Sequence, residues 1–227
     1  MPNNSISSLV ITIDGPAGSG KGTISQRVAD KLGWNILDSG ALYRLVALAA
    51  QRKAVALDDD EALTEIAESL DVNFKSGGER LEIALEGDIV TDSIRTEECG
   101  SGASQVAAIT GVRDALLDRQ RRFLQEPGLV ADGRDMGTVV FPGAKVKIFL
   151  TASPEIRAER RLNQLKQQGI SANLRGLIRD IEERDARDSN RKDAPLVPAT
   201  DAIIVDTGVM SIDEVVNTVM EAVQNVY

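Results

Sequence analysis

LVITIDGPAGSGKGT, residues Leu9 to Thr23, decides how the rest of the chain is read. An apolar, β-branched run stops at Asp14 and opens at once into a glycine-rich turn carrying Lys21. Such a turn, set between a buried strand and a helix, aims successive backbone N–H groups inward, and the helix N-terminus adds partial positive charge, so the stretch is suited to cradle phosphate. Lys21 then reaches the outer phosphates of a nucleotide. Ile24, Val28 and Leu32 fall on one face, which predicts a helix over 24–32. The cradle comprises Gly15, Gly18, Ser19, Gly20, Lys21, Gly22 and Thr23. In the usual form of the motif Ser or Thr follows the lysine directly and holds magnesium; here Gly22 intervenes, which leaves Thr23 as the hydroxyl assigned to the metal.

Composition narrows the chemistry. With 227 residues, 42% of them hydrophobic, the chain can bury the core of one α/β domain with an insertion, and two full domains would be crowded. A net charge of −9 argues against a nucleic-acid partner, which calls for a basic face. The 26 basic residues divide into 18 Arg and 8 Lys, a bias that suits bidentate recognition of phosphate. One cysteine, Cys99, excludes an internal disulfide and fits a reducing compartment. Without histidine there is no Ser-His or Cys-His mechanism and no imidazole zinc site. Neither a signal peptide nor an 18-residue apolar stretch is present, so a soluble, cytoplasmic protein without a membrane partner is expected.

Further short apolar runs follow: Trp34 to Leu37 ending at Asp38, Leu129 to Ala131 ending at Asp132, Val146 to Leu150, and Ala202 to Val205 ending at Asp206. With the first run they predict five strands buried on both faces and separated by helices, one of them from about Ala41 to Arg52. That is the pattern of a parallel sheet wrapped by helices, with polar residues at the carboxyl ends of strands, where open α/β sheets bind ligands. Between Val72 and Thr91 apolar and polar residues alternate around Ser76-Gly77-Gly78 and Gly87-Asp88, which predicts a small antiparallel β insertion. Asp58 to Glu61 reads as the negative cap of the next helix.

Five segments taken together, GPAGSGKGT at 15–23, DSGALYR at 38–44, SQVAAITGVRDAL at 104–116, ADGRDMGTVVFP at 131–142 and ERDARDSNR at 183–191, resemble the cytidylate kinase family of nucleoside monophosphate kinases. The resemblance runs in order from about Leu9 to the C-terminus. It implies a single P-loop kinase domain over 1–227, a five-stranded parallel sheet wrapped by helices, an NMP-binding β insertion near 66–104 and a short lid near 154–172. The implied activity is transfer of the γ-phosphoryl group of MgATP to CMP or dCMP, giving ADP and CDP or dCDP, by a monomer.

The resemblance also implies roles. Ser39, Tyr43, Arg44, Arg134 and Arg191 belong to the acceptor phosphate, and Ser104, Arg184 and Asp188 lie with Arg113 and Asp135 in the remainder of the CMP site. Cytosine presents an amino donor beside ring acceptors, so a carboxylate, Asp135, and a guanidinium, Arg113, suit its selection over uracil. Asp132 closes an apolar strand and resembles the acid that holds the magnesium shell through water, with Asp14 ranked below it. Arg157, Arg160 and Arg161 share a helix face from which they would reach the ATP phosphates. Lys21, Arg134, Arg160 and Arg191 would form the catalytic set, since phosphoryl transfer needs positioning and neutralised charge. Two rival readings are a kinase of the same fold acting on UMP or another small acceptor, and a nucleotide-binding switch that hydrolyses ATP slowly.

Overall fold

The computed structural model describes residues 9–75, 82–167 and 169–227. These contain β1 (Val10–Asp14), α1 (Lys21–Leu32), β2 (Asn35–Asp38), α2 (Ser39–Arg52), α3 (Asp60–Glu68), β3 (Val72–Lys75), β4 (Glu82–Leu85), β5 (Asp88–Ile89), α4 (Glu97–Val106), α5 (Thr110–Arg121), β6 (Leu129–Gly133), β7 (Val146–Thr151), α6 (Pro154–Gln167), α7 (Leu174–Ser189), β8 (Ile203–Asp206) and α8 (Ile212–Gln224). Contacts divide the chain into two compact units, one made of residues up to Asp38 together with Gln120–Tyr227, the other Ser39–Arg119.

The first unit holds a five-stranded parallel sheet in the order β2-β6-β1-β7-β8. The three inner strands are buried almost throughout, as continuous β-branched runs in a covered parallel sheet should be. Ile11, Ile13, Val130, Ile148 and Leu150 pack there with Ile24 and Val28 of α1 and with Val215, Val216 and Val219 of α8. The outer strands depart from the expectation of burial on both faces: Ile203 is 44% and Ile204 61% exposed on β8. An outer strand has a hydrogen-bonded neighbour on one side only, and its flanking helices do not cover it fully. Two helices start earlier than the sequence suggests, α1 at Lys21 and α2 at Ser39, because polar and glycine residues that carry no apolar period still take helical backbone.

The second unit combines α2, α3, α4 and most of α5 with a three-stranded antiparallel sheet, β3-β4-β5. The β insertion expected near 66–104 falls inside it. The turn expected at Ser76-Gly77-Gly78 lies outside the described residues. The other turn is centred one residue earlier than read, on Glu86 and Gly87, both at positive φ (52° and 88°), with Leu85 opposite Asp88. Two positive-φ residues match the twist of a tight hairpin. Asp59, within the acidic run, caps α3 by accepting the Ala62 N–H at 3.1 Å. Among the described residues no helix is long and apolar enough to cross a membrane.

Gly128, just before β6, has its missing Cβ aimed at the Trp34 ring, 2.5 Å from Cδ2, and that ring packs edge-on against Tyr227 at 5.7 Å. Gly128→Ala therefore overpacks this corner and is expected to lower stability by about 1–3 kcal/mol in urea unfolding; an unchanged midpoint would mean the ring moves aside freely.

Candidate functional site

Strand β1 delivers the chain into the loop 15–20, and three features fix its path. Gly15 lies so close to β7 that a Cβ would come 2.4 Å from the Leu150 carbonyl oxygen, which no flexible side chain relieves. Gly18 and Gly20 take left-handed backbone, φ 77° and 89°, and Gly20 forms the N-cap of α1. Lys21 arches back so that Nζ donates to the Pro16 carbonyl at 3.1 Å. The Ser19 hydroxyl is buried without a hydrogen-bond partner. The loop therefore presents a helix N-terminus and an ammonium group over a turn of glycines, a cradle for polyphosphate.

Three aspartates close three neighbouring strands: Asp14 ends β1 and Asp38 ends β2, while Asp132 lies opposite Asp38 in β6. Their roles differ. Asp14 accepts the N–H groups of Met136 at 2.9 Å and Gly137 at 2.8 Å and so fixes the turn after β6. Burial still outweighs those bonds and pushes its carboxyl up to about 6. Burial also raises Asp132, against the pull of Lys21 and with help from Asp38. Lys21 shows the converse: burial lowers it, Arg134 and Arg184 add to that, and Asp132 and Asp38 oppose it. Gly22 replaces the usual hydroxyl residue at the point nearest this acid, since its Cβ would stand 3.4 Å from Asp132 Oδ2, while Thr23 is exposed on α1.

Arg157, Arg160 and Arg161, expected to reach the ATP phosphates when a lid closes over them, each have a protein partner in this arrangement. Arg157 is buried and pairs with Asp185; Arg160 donates to the Thr207 hydroxyl at 3.0 Å and carbonyl at 2.5 Å; Arg161 donates to Gln164 at 3.2 Å. Thr207 escaped the sequence reading. It is buried, its hydroxyl lies 3.0 Å from the Ser19 carbonyl and 3.1 Å from that of Thr151, and it thereby ties the loop, β7 and Arg160 to the residue after β8. The signal was available, since Thr207 is a polar residue at a strand's carboxyl end.

Comparison with known proteins identifies the arrangement. The sequence pattern described as cytidylate kinase matches residues 11–225. The chain belongs to the cytidylate kinase family. It is 60% identical over 211 residues to the cytidylate kinase of Marinomonas sp. (strain MWYL1), covering 92% of this chain and 93% of that one. It is 59% identical over 213 residues to that of Colwellia psychrerythraea (strain 34H), covering 93% and 94%. Among solved structures an uncharacterized protein from Eubacterium ventriosum shares the fold, with TM-score 0.52, 8% identity and coverage of 96% and 99%.

The residues that the family resemblance places around the acceptor form two groups. In the first unit Arg134 Nε donates to Asp188 Oδ2 at 3.0 Å and Arg191 Nε to the Asp188 carbonyl at 3.2 Å. Burial opposes ionisation of Asp188, but Arg134, Arg191 and Arg184 outweigh it and hold the carboxyl below its usual range. Asp135 is buried at the turn that Asp14 clamps. In the second unit the buried Arg113 guanidinium lies 5.9 Å from the Tyr43 ring centroid and donates to the Ala107 carbonyl at 3.3 Å. Ser39 and Ser104 are buried on α2 and α4. Arg44, expected on the acceptor phosphate, donates from Nη1 to the carbonyls of Ile94 at 2.7 Å and Thr96 at 3.2 Å, with Gly100 leaving room for it.

Because the fold raises Asp14 from 3.8 to about 6, the folded state binds its proton more tightly than the unfolded chain. The stability of the wild type relative to Asp14→Asn should therefore fall by up to about 3 kcal/mol as pH rises from about 4 to about 6, and stay level above; urea unfolding across that range checks it.

Proposed function

We propose that the chain moves the γ-phosphoryl group of ATP to CMP or dCMP, giving ADP and CDP or dCDP. The observation that carries this reading is the shared surroundings of Lys21 and Arg134. The acceptor-side guanidinium of Arg134 helps lower the loop lysine, and it donates from Nε to Asp188. Phosphoryl transfer calls for little covalent chemistry, only two polyanions held in line and the charge of the moving group neutralised. The acceptor phosphate is already a nucleophile at neutral pH, which accords with a chain that contains no histidine.

In this reading the backbone of Gly15, Gly18, Ser19, Gly20 and Gly22, with Lys21 and Thr23, holds the ATP phosphates, and Arg160 and Arg161 join them on nucleotide binding. Ser39, Tyr43, Arg44, Arg134 and Arg191 take the acceptor phosphate, Arg184 and Asp188 the ribose, and Arg113, Asp135 and Ser104 the cytosine. Arg44 uses Nη1 for both of its carbonyl partners, which leaves Nη2 to face the acceptor phosphate. Uracil would set a carbonyl against the Asp135 carboxylate, leaving both acceptors without a proton between them.

Magnesium fits the residues present. Asp132 is a buried carboxyl whose ionisation is opposed by burial and by Asp38, and a divalent cation relieves both. Among the described residues no cluster of three or more acidic, cysteine or histidine side chains could hold a metal, which suits an ion taken chiefly by nucleotide phosphates and one carboxylate. Asp132 would hold it, with Thr23 at the start of α1. Bound there, the ion neutralises charge on the ATP phosphates.

Diphosphate formation with ATP and, separately, CMP, dCMP, UMP, AMP and GMP is the direct test. CDP and dCDP should form far faster than the others; acceptor-independent ATP hydrolysis would replace the reading with that of a switch. Asp135→Ala should lower kcat/KM for CMP about 100-fold and for UMP by less than about fivefold. Lys21→Ala should lower turnover about 10²–10³-fold with every acceptor alike.

A further inference from the structure

The motif ERDARDSNR contains a carboxylate that the reading above does not use. Asp185 lies on α7 one helical turn before Asp188, and the two face different arginines. Asp188 aims Arg134. Asp185 takes both terminal nitrogens of Arg157: Nη1 donates to Oδ1 at 3.0 Å and Nη2 to Oδ2 in a short bond.

Arg157 is only 2% exposed, and its remaining donors go to the main chain. Nη1 also donates to the Ala17 carbonyl of the phosphate loop at 3.0 Å, and Nε to the Ala152 carbonyl beyond β7 at 3.0 Å. A Cβ on Gly18 would stand 3.2 Å from Arg157 Cβ, so the stem of the arginine lies directly against the loop. The Arg157 guanidinium is itself buried, so turning it to phosphate would break its fork to the half-buried Asp185 carboxylate and its bonds to the Ala17 and Ala152 carbonyls together. Only an arginine fork satisfies a bidentate carboxylate and two carbonyls at once.

We infer that Asp185 is a positioning residue: through the Arg157 guanidinium it holds the Ala17 carbonyl in place and so sets the path of the phosphate loop. Arg157 in consequence acts on ATP through the loop, not by touching a phosphate. The inference rests on the reading of that loop as the ATP cradle, and it adds a residue of α7 to the parts that form it.

The test is calorimetric binding of a non-hydrolysable ATP analogue with magnesium, alongside binding of CMP, to the full chain and its variants. Asp185→Asn, which removes the charge and one acceptor, should weaken ATP binding about tenfold while CMP binding stays within about threefold. Arg157→Lys keeps the charge and an ion pair with Asp185 but cannot reach all four acceptors, so it should fold and show the same tenfold loss. The double variant should be no worse than either single one, because the two residues act as a unit. Retained ATP affinity in either single variant overturns the inference, and so do additive losses in the double one. If Asp185→Asn proves too unstable to study, Asp185→Glu takes its place: it keeps the charge facing Arg157 but displaces the carboxylate by one methylene, so it should show the same loss, and retained ATP affinity overturns the inference. CDP formation by the wild type, measured in parallel, tests the kinase reading separately; its failure leaves the ATP-binding comparison intact.

Discussion

Desolvated charge at the carboxyl ends of β1, β2 and β6 governs the rest of the structure. Parallel register brings Asp38 opposite Asp132 and puts Asp14 on the next strand, and burial makes Asp14 and Asp132 costly to ionise, with Asp38 adding to the cost at Asp132. The protein resolves this in three ways. Asp14 takes two backbone N–H groups, Lys21 sets its ammonium against Asp38 and Asp132, and Arg134 adds a guanidinium that Asp188 steadies from α7. A polyphosphate with a divalent cation completes the balance: its negative charge draws Lys21 towards the protonated state, and the cation draws Asp132 towards the ionised one. Burial alone biases both groups towards neutrality, so the site's own electrostatics favour the ligand it is read as binding.

The fold was largely legible because its signals are local. Short, mainly apolar runs that end in polar residues announce inner strands of a covered sheet, and Val10–Asp14, Leu129–Gly133 and Val146–Thr151 are such runs. Exposure of the outer strands was not legible, since Ile203 and Ile204 look in sequence like the core residues Ile11 and Ile13; what differs is the strand's place in the order β2-β6-β1-β7-β8, a property of the whole sheet. The hairpin at Glu86-Gly87 was displaced by one residue for a similar reason. Gly87 and Asp88 are both good turn formers, and pairing of Leu85 with Asp88 selects which two residues lie between the strands.

At the site, the glycine loop, Lys21 and Asp132 could be read from chemistry that each residue carries by itself. Thr207 could be read only in outline, because its bonds join residues up to 188 positions away. Asp14 shows the opposite difficulty: an acid at the end of a strand beside a phosphate loop suggests metal, and only the positions of the Met136 and Gly137 N–H groups show that it also fixes the turn after β6. Arg44 and Arg157 were legible as arginines near the site but not as to their partners.

Those partners change the meaning of the excess of arginine over lysine. Read as composition, 18 Arg against 8 Lys suggests phosphate recognition. In the structure, Arg44, Arg113, Arg119, Arg121, Arg157 and Arg160 each donate to at least one main-chain carbonyl. Such carbonyls, at the ends of elements and in loops, are the acceptors that regular secondary structure leaves unmet, and a planar group with five donors on a long stem meets several of them at once. Lysine, with three donors on one atom, reaches a single neighbourhood, as Lys21 does at Pro16. The same fork geometry that suits arginine to a phosphate therefore suits it to a loop that must hold a phosphate, and a family that moves phosphoryl groups needs both.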